Sequence, residues 1–219
     1  MLKQRTQSPV SDPALVDRAA KHRDAASARQ SDEAISAELG LRIKALRTDA
    51  NYTLEDLSRR SSVSRAMLSK VERGEKSPTL PVIVRIAGGL GLPLSALLGA
   101  EPDLADVAVI RASERLAFRD PETGFERWVL SPAHLDNGVE FVMHFMPPGR
   151  STGVLPPYAV PTEKYLAVST GQLTVYVDNK PHVLKAGDSM YFEVKSPYRF
   201  ANDDGHVACV YYMIIVRKR

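Results

Sequence analysis

The chain has 219 residues, 44% hydrophobic and 25% charged, a composition suited to one large globular domain or two small ones. No run of 18 apolar residues occurs, which excludes a membrane-spanning helix, and the first thirty residues lack the apolar segment of a signal peptide, so a cytoplasmic location is expected. The net charge of +3 divides unevenly: residues 1–100 hold 16 Lys/Arg against 11 Asp/Glu, and residues 101–219 hold 13 against 15, so the amino-terminal part is the one suited to a polyanion.

Residues 1–33 are rich in alanine and scattered charge and poor in large apolar side chains, and they read as a disordered or partly helical tail. Residues 34–99 read as helical throughout. Ile35, Leu39, Ile43 and Leu46 form one apolar stripe of a first helix. Thr53 opens a second, TLEDLSRRS, with Asp56 placed for a capping box. Ser64 opens a third, SRAMLSKVER, which stops at Gly74. Thr79 and Pro81 start a fourth that closes around Gly88, Gly89 and Gly91, and Pro93 starts a short fifth.

Residues 100–106 read as a linker, after which the hydrophobic period changes to two. The predicted strands are DVAVIR, ERWVLS, VEFVMHFM, KYLAVS, QLTVYVD, HVLKA, SMYFEV, YRFAN and VACVYYMIIV, punctuated by Gly171, Asp178-Asn179 and Gly187-Asp188. Many short strands with such turns imply a sandwich or closed barrel over residues 107–219. Cys209, the single cysteine, lies in the last apolar run and reads as a buried small hydrophobe.

Two short helices joined by a tight turn at Ser61-Ser62-Val63 form a helix-turn-helix, locked by Leu54, Leu57, Val63, Leu68 and Val71. The segments LGLRIKALR, TLEDLSRRSSVSRAMLSKVERGEKSPTL and RIAGGLGLPLSALLG resemble the XRE-type helix-turn-helix family. The resemblance implies a homodimer that binds double-stranded DNA at a roughly palindromic operator. It implies that Arg65 and Ala66, just after Ser64, stand over base edges, with Ser69, Lys70 and Arg73 further along the same helix. Thr53, Lys76 and Ser77 would contact phosphates. Leu54 replaces the glutamine common in the family, and Arg47 with Glu72 matches a structural ion pair.

The run EKYLAVSTGQLTVYVDNKPHVLKAGDSMYFEVKSPYRFAN resembles the cupin family, and the whole chain resembles regulators that join an XRE-type domain to one cupin barrel. The implied fold class is α + β in two domains, a five-helix domain followed by an antiparallel cupin β-barrel. Typical cupins bind a metal through histidines and a carboxylate. The acidic position is Lys164 here, the paired-histidine positions fall among Pro157, Tyr158, Ala159 and Val160, and the last is Tyr198. His134, His144, His182 and His206 are dispersed, so no metal and no cofactor are expected. Lys164, Tyr158 and Tyr198, with His144 facing the interior, instead favour a small anionic effector. The alternatives are a purely structural barrel, a cupin enzyme with an accessory helical domain, and a helical domain that contacts protein instead of DNA.

Overall fold

The computed structural model describes residues 25–100, 107–132 and 138–218, with side chains from residue 36 onward. Most of the expected tail, the linker and His134 lie outside the described residues. Among the described residues five helices come first: α1 (Ala25–Asp49), α2 (Leu54–Ser61), α3 (Arg65–Glu72), α4 (Leu80–Leu90) and α5 (Leu94–Leu97). The backbone of α1 is thus helical from Ala25, nine residues ahead of the start expected from the apolar stripe.

Thr53 and Asp56 form a reciprocal capping box that satisfies amide groups at the start of α2. Ser62 then takes a left-handed conformation (φ 54°), and Ser64 caps α3 by accepting from the Met67 amide at 3.2 Å. Leu39, Ile43, Leu57, Val63, Leu68, Val71, Ile83, Ile86 and Leu97 make the buried core of this domain. Arg47 binds Glu72 through two nitrogens, at 2.7 and 2.9 Å, tying α1 to α3. α4 runs through Gly88 and Gly89 and closes only at Gly91. The close expected around Gly88, Gly89 and Gly91 thus falls at the last of the three, and Gly89 is buried against Ser61 and Leu57, where its lack of a side chain lets α4 approach α2.

Nine strands follow: β1 (Ala117–Arg119), β2 (Glu126–Val129), β3 (Val139–Met146), β4 (Thr162–Thr170), β5 (Gln172–Val177), β6 (Lys180–Lys185), β7 (Ser189–Glu193), β8 (Tyr198–Ala201) and β9 (Cys209–Arg217). They build a six-stranded sheet, β1-β2-β3-β9-β4-β7, and a three-stranded sheet, β6-β5-β8, with every pairing antiparallel. This corrects the expected closed barrel, because the two sheets do not join into one hydrogen-bonded ring among the described residues. The predicted strand DVAVIR is also corrected. Residues 107–111 pair with no strand, Val107 and Val109 are exposed, and a 3₁₀ turn at Ala112–Glu114 follows.

Between the sheets, alternation sends one set of side chains inward. One row across neighbouring strands is Glu140, Ile215, Lys164 and Phe192, and the next but one is Arg127, His144, Tyr211 and Val168. All eight are buried. The outer face of the same sheet carries the exposed row Phe141, Ile214, Tyr165 and Tyr191.

Candidate nucleic-acid interface and inter-sheet site

α3 is amphipathic in the sense a groove-reading helix requires. Leu68, Val71 and Glu72 are buried, whereas Ser64, Arg65, Ala66, Lys70 and Arg73 are exposed and Ser69 is half-buried. Thr53 and Lys76 are exposed on the flanks. Some of these groups already have partners. Arg73 is paired with Glu75 at 2.5 Å and also donates to the Ser69 hydroxyl. The Thr53 hydroxyl is occupied by the capping box, and the Ser77 hydroxyl donates to Ser36 Oγ at 2.7 Å, a contact within the scaffold. No hydrogen bond or ion pair of the Arg65 side chain is found among the described residues, and it stands in the first turn of α3, one residue past the cap.

In the second domain the structure brings Lys164, Tyr158 and Tyr198 together. Lys164 Nζ donates to the Tyr198 hydroxyl at 2.9 Å. It also lies 4.3 Å from the Tyr198 ring centre, 5.3 Å from that of Tyr158 and 5.4 Å from that of Phe200. Ring faces attract cations, so the ammonium sits in an aromatic cage. Burial lowers its pKa, because water no longer solvates the charged form. Burial pushes the Tyr158 hydroxyl up, but the positive charges of Lys164 and Arg217 outweigh it and hold the phenol below its usual range. For Tyr198 burial wins, and its hydroxyl stays well above that range.

His144 lies further along the interior, against Tyr211 (4.8 Å between ring centres) and Phe125 (5.1 Å). Burial, and then the charges of Arg127 and Lys164, hold its imidazole well below the usual value, so it is neutral. Both its nitrogens, the Tyr211 hydroxyl and Arg127 Nε are buried with no hydrogen-bond partner among the described residues. The donor set does not fit a cupin metal. A caged lysine stands where a carboxylate would, two phenols replace imidazoles, and the one histidine belongs to a different row. No group of three His, Cys, Asp or Glu close enough to hold an ion occurs among the described residues. Cys209 is buried, and desolvation pushes its thiol up to about 12, which leaves it unreactive.

Two buried carboxylates that the sequence does not mark out, Glu140 and Asp120, connect the two domains. Glu140, 3% exposed, accepts from Arg127 Nη2 at 3.0 Å, from Arg217 Nη2 at 2.5 Å and from the Ser95 amide of α5 at 3.1 Å. Asp120, 1% exposed, accepts from the Leu80 amide at the start of α4 at 2.6 Å. Thr79 makes no side-chain cap there, so a carboxylate of the β-domain takes over the role. The signal for Glu140 was its place in the buried phase of β3, shared with Val142, His144 and Met146. A charge at such a position requires a buried partner.

Comparison with known proteins agrees with both halves. The helix-turn-helix family HTH_3 matches residues 43–97 and the cupin domain family Cupin_2 matches residues 141–215. The chain therefore joins a helix-turn-helix domain of the HTH_3 family to a cupin domain of the Cupin_2 family. It is 26% identical over 175 residues to the HTH-type transcriptional regulator SutR of Escherichia coli K12, covering 77% of this chain and 85% of SutR. It is 36% identical over 63 residues to the immunity repressor protein of Bacillus phage phi105, covering 29% of this chain and 44% of the repressor. A crystal structure of an HTH_3 family transcriptional regulator from Vibrio cholerae superposes with a TM-score of 0.72 at 26% identity, over 86% of this chain and 99% of that one. No helix among the described residues is long and apolar enough to cross a membrane.

Proposed function

We propose that this transcriptional regulator reads a roughly palindromic operator as a homodimer, with α3 in the major groove, and that a small anion held by the cupin domain modulates its binding. The observation that carries the DNA reading is the split face of α3, with Leu68 and Val71 locked into the core and Arg65, Ala66 and Lys70 turned to solvent. Arg65 reads a base edge, where a bidentate contact to guanine is worth about 1–3 kcal/mol of discrimination. Lys70 and Lys76 supply charge toward bases or backbone, Thr53, whose amide and hydroxyl both donate to Asp56, fixes the start of α2 beside the phosphates, Ser77 acts through its backbone amide, and Arg73 exchanges Glu75 for a phosphate. One such domain spans few base pairs, which is why two half-sites and a dimer are required.

The test is selection of preferred duplexes from a random pool, with wild type and Arg65→Ala side by side. Wild type is expected to enrich a two-fold motif, and the variant to lose preference at one base of each half-site. Enrichment of no motif by wild type would remove the reading.

The anion reading rests on the clustering of Lys164, Tyr158 and Tyr198, with His144 further along the same interior, and on a surplus of buried cations over carboxylates. Lys164→Ala is expected to abolish the response of DNA affinity to the anion, a coupling of about 1–3 kcal/mol, while basal DNA affinity persists. Titration of operator binding with and without a carboxylate panel checks this. An unchanged response in Lys164→Ala would leave the cupin domain as a structural module.

A further inference from the structure

A shallow cleft, open to solvent and enclosing only about 30 Å³, lies where the helical domain meets the end of the β-domain. Its walls differ in chemistry. One is apolar: Val84, Ala87 and Gly88 of α4, with Leu92 and Leu94 beyond it. The other carries Arg127, Tyr158 and Arg217. Tyr158 is shared with the Lys164 cluster, so the cleft is the outer end of the interior site.

We propose that this cleft binds an amphiphilic carboxylate, its head on Arg127, Arg217 and Tyr158 and its apolar part along α4, and that such a ligand sets the hold of the cupin domain on the DNA-binding domain. The inference rests on the reading of the cupin interior as an anion receptor and adds the ligand's class, its seat and its route of action.

Three observations carry it. First, the charge is unbalanced: around Glu140 two guanidiniums face one carboxylate, before Lys164 is counted. Second, Arg127 is 5% exposed, lines the cleft and has a buried Nε with no partner, so it retains donor capacity that Glu140 does not use. Third, a Cβ placed on Gly88 would meet nothing within 4 Å, so the apolar wall has open space above it and not a packed neighbour.

The route of action follows from shared partners. Glu140 is bound at once by Arg127, Arg217 and the Ser95 amide of α5. A second carboxylate on the same guanidiniums competes with Glu140 for them and alters its grip on α5. The ligand's apolar part simultaneously lies on α4, the helix whose first amide is held by Asp120. The two helices held by Asp120 and Glu140, α4 and α5, therefore register occupancy.

The experiment uses the full chain and three probes, hexanoate, acetate and the neutral hexanamide, in calorimetric titrations of wild type, Gly88→Leu, Arg217→Gln and Lys164→Ala. Hexanoate is expected to bind at least about tenfold more tightly than acetate, because its methylenes leave water on α4, and hexanamide not to bind. Gly88→Leu fills the cleft and is expected to bring hexanoate down to the level of acetate. Its added side chain enters open space, so the fold is retained, as melting checks. Arg217→Gln is expected to weaken both carboxylates. Equal binding of hexanoate and acetate, unaffected by Gly88→Leu but abolished by Lys164→Ala, would overturn the cleft while leaving the interior as an anion site. Binding of hexanamide as tight as hexanoate would overturn the role of the arginines. No binding of either carboxylate to wild type would overturn both the cleft and the anion reading beneath it.

Discussion

Glu140→Ala is expected to destabilise the protein by about 3–5 kcal/mol, the usual cost of removing one partner from a buried ion cluster. The physical reason is what remains. Arg127 has side-chain exposure of 6% and Glu140 is its hydrogen-bond partner, so the variant leaves a guanidinium buried beside Arg217 with no counter-charge. The Ser95 amide loses its acceptor as well. For a chain of this size the loss corresponds to a fall in melting temperature of about 6–20 °C. The acid dependence of the wild type gives a second readout. Burial pushes the Glu140 carboxyl up, and the Arg127 and Arg217 charges more than reverse this, holding it at about 2 against an ordinary 4.5. A depressed carboxylate contributes stability that is complete above pH 4.5 and is lost as the pH falls through 2. The contribution is about 3 kcal/mol. Glu140→Gln is expected to lack this part of the acid transition between pH 4.5 and 2, seen by melting both proteins across that range. A wild-type profile matched by the glutamine variant would contradict the assignment.

Gly40→Ala is expected to disrupt the helical domain although it improves a helix former. A Cβ at Gly40 would stand 2.3 Å from the Val71 carbonyl oxygen and 3.2 Å from that of Glu72. Both are backbone atoms of α3, so no side chain can swing aside, and α1 and α3 must part. Overpacking of this kind costs about 1–3 kcal/mol, which exceeds the gain of about 1 kcal/mol from replacing a helical glycine. Parting the helices also strains the Arg47–Glu72 pair and tilts the helix that carries Arg65. Gly88→Ala is the control. It lies in α4 with open space around it, and it is expected to stabilise by about 0.5–1 kcal/mol. Melting curves that move in the same direction for the two variants would refute the close-approach argument. Operator binding is expected to fall in Gly40→Ala and to persist in Gly88→Ala.

The contrast between these residues marks what a sequence discloses. The helix-turn-helix is legible because its determinants are local: a Thr53–Asp56 box, a serine cap at Ser64, a stop at Gly74 and apolar residues at helical spacing. Alternation likewise separates Lys164, which faces inward, from Glu163, which meets Lys218, Tyr165 and Tyr191 on the outer face. Where the determinant is a distant partner, the pattern fails. DVAVIR alternates like a strand, yet among the described residues no neighbouring strand meets its residues 107–111. β1 is only three residues long, too short for its period to register. Closure of the sheets depends on hydrogen bonds between segments far apart. Arg217 and Glu140 are separated by 77 positions and Asp120 and Leu80 by 40, so neither pairing has a local signature. Gly40 looks like an ordinary helical glycine until α3 is laid against it.

Asp120 and Glu140 also bear on how freely the two domains can be exchanged. Each is a buried carboxylate of one domain that completes a helix start of the other. A recombinant that joins this helical domain to a foreign sensor would leave two main-chain donors without acceptors, and the foreign partner would have to bring carboxylates to the same two points. The halves therefore form a matched pair, and each can change at the junction only when the other changes with it.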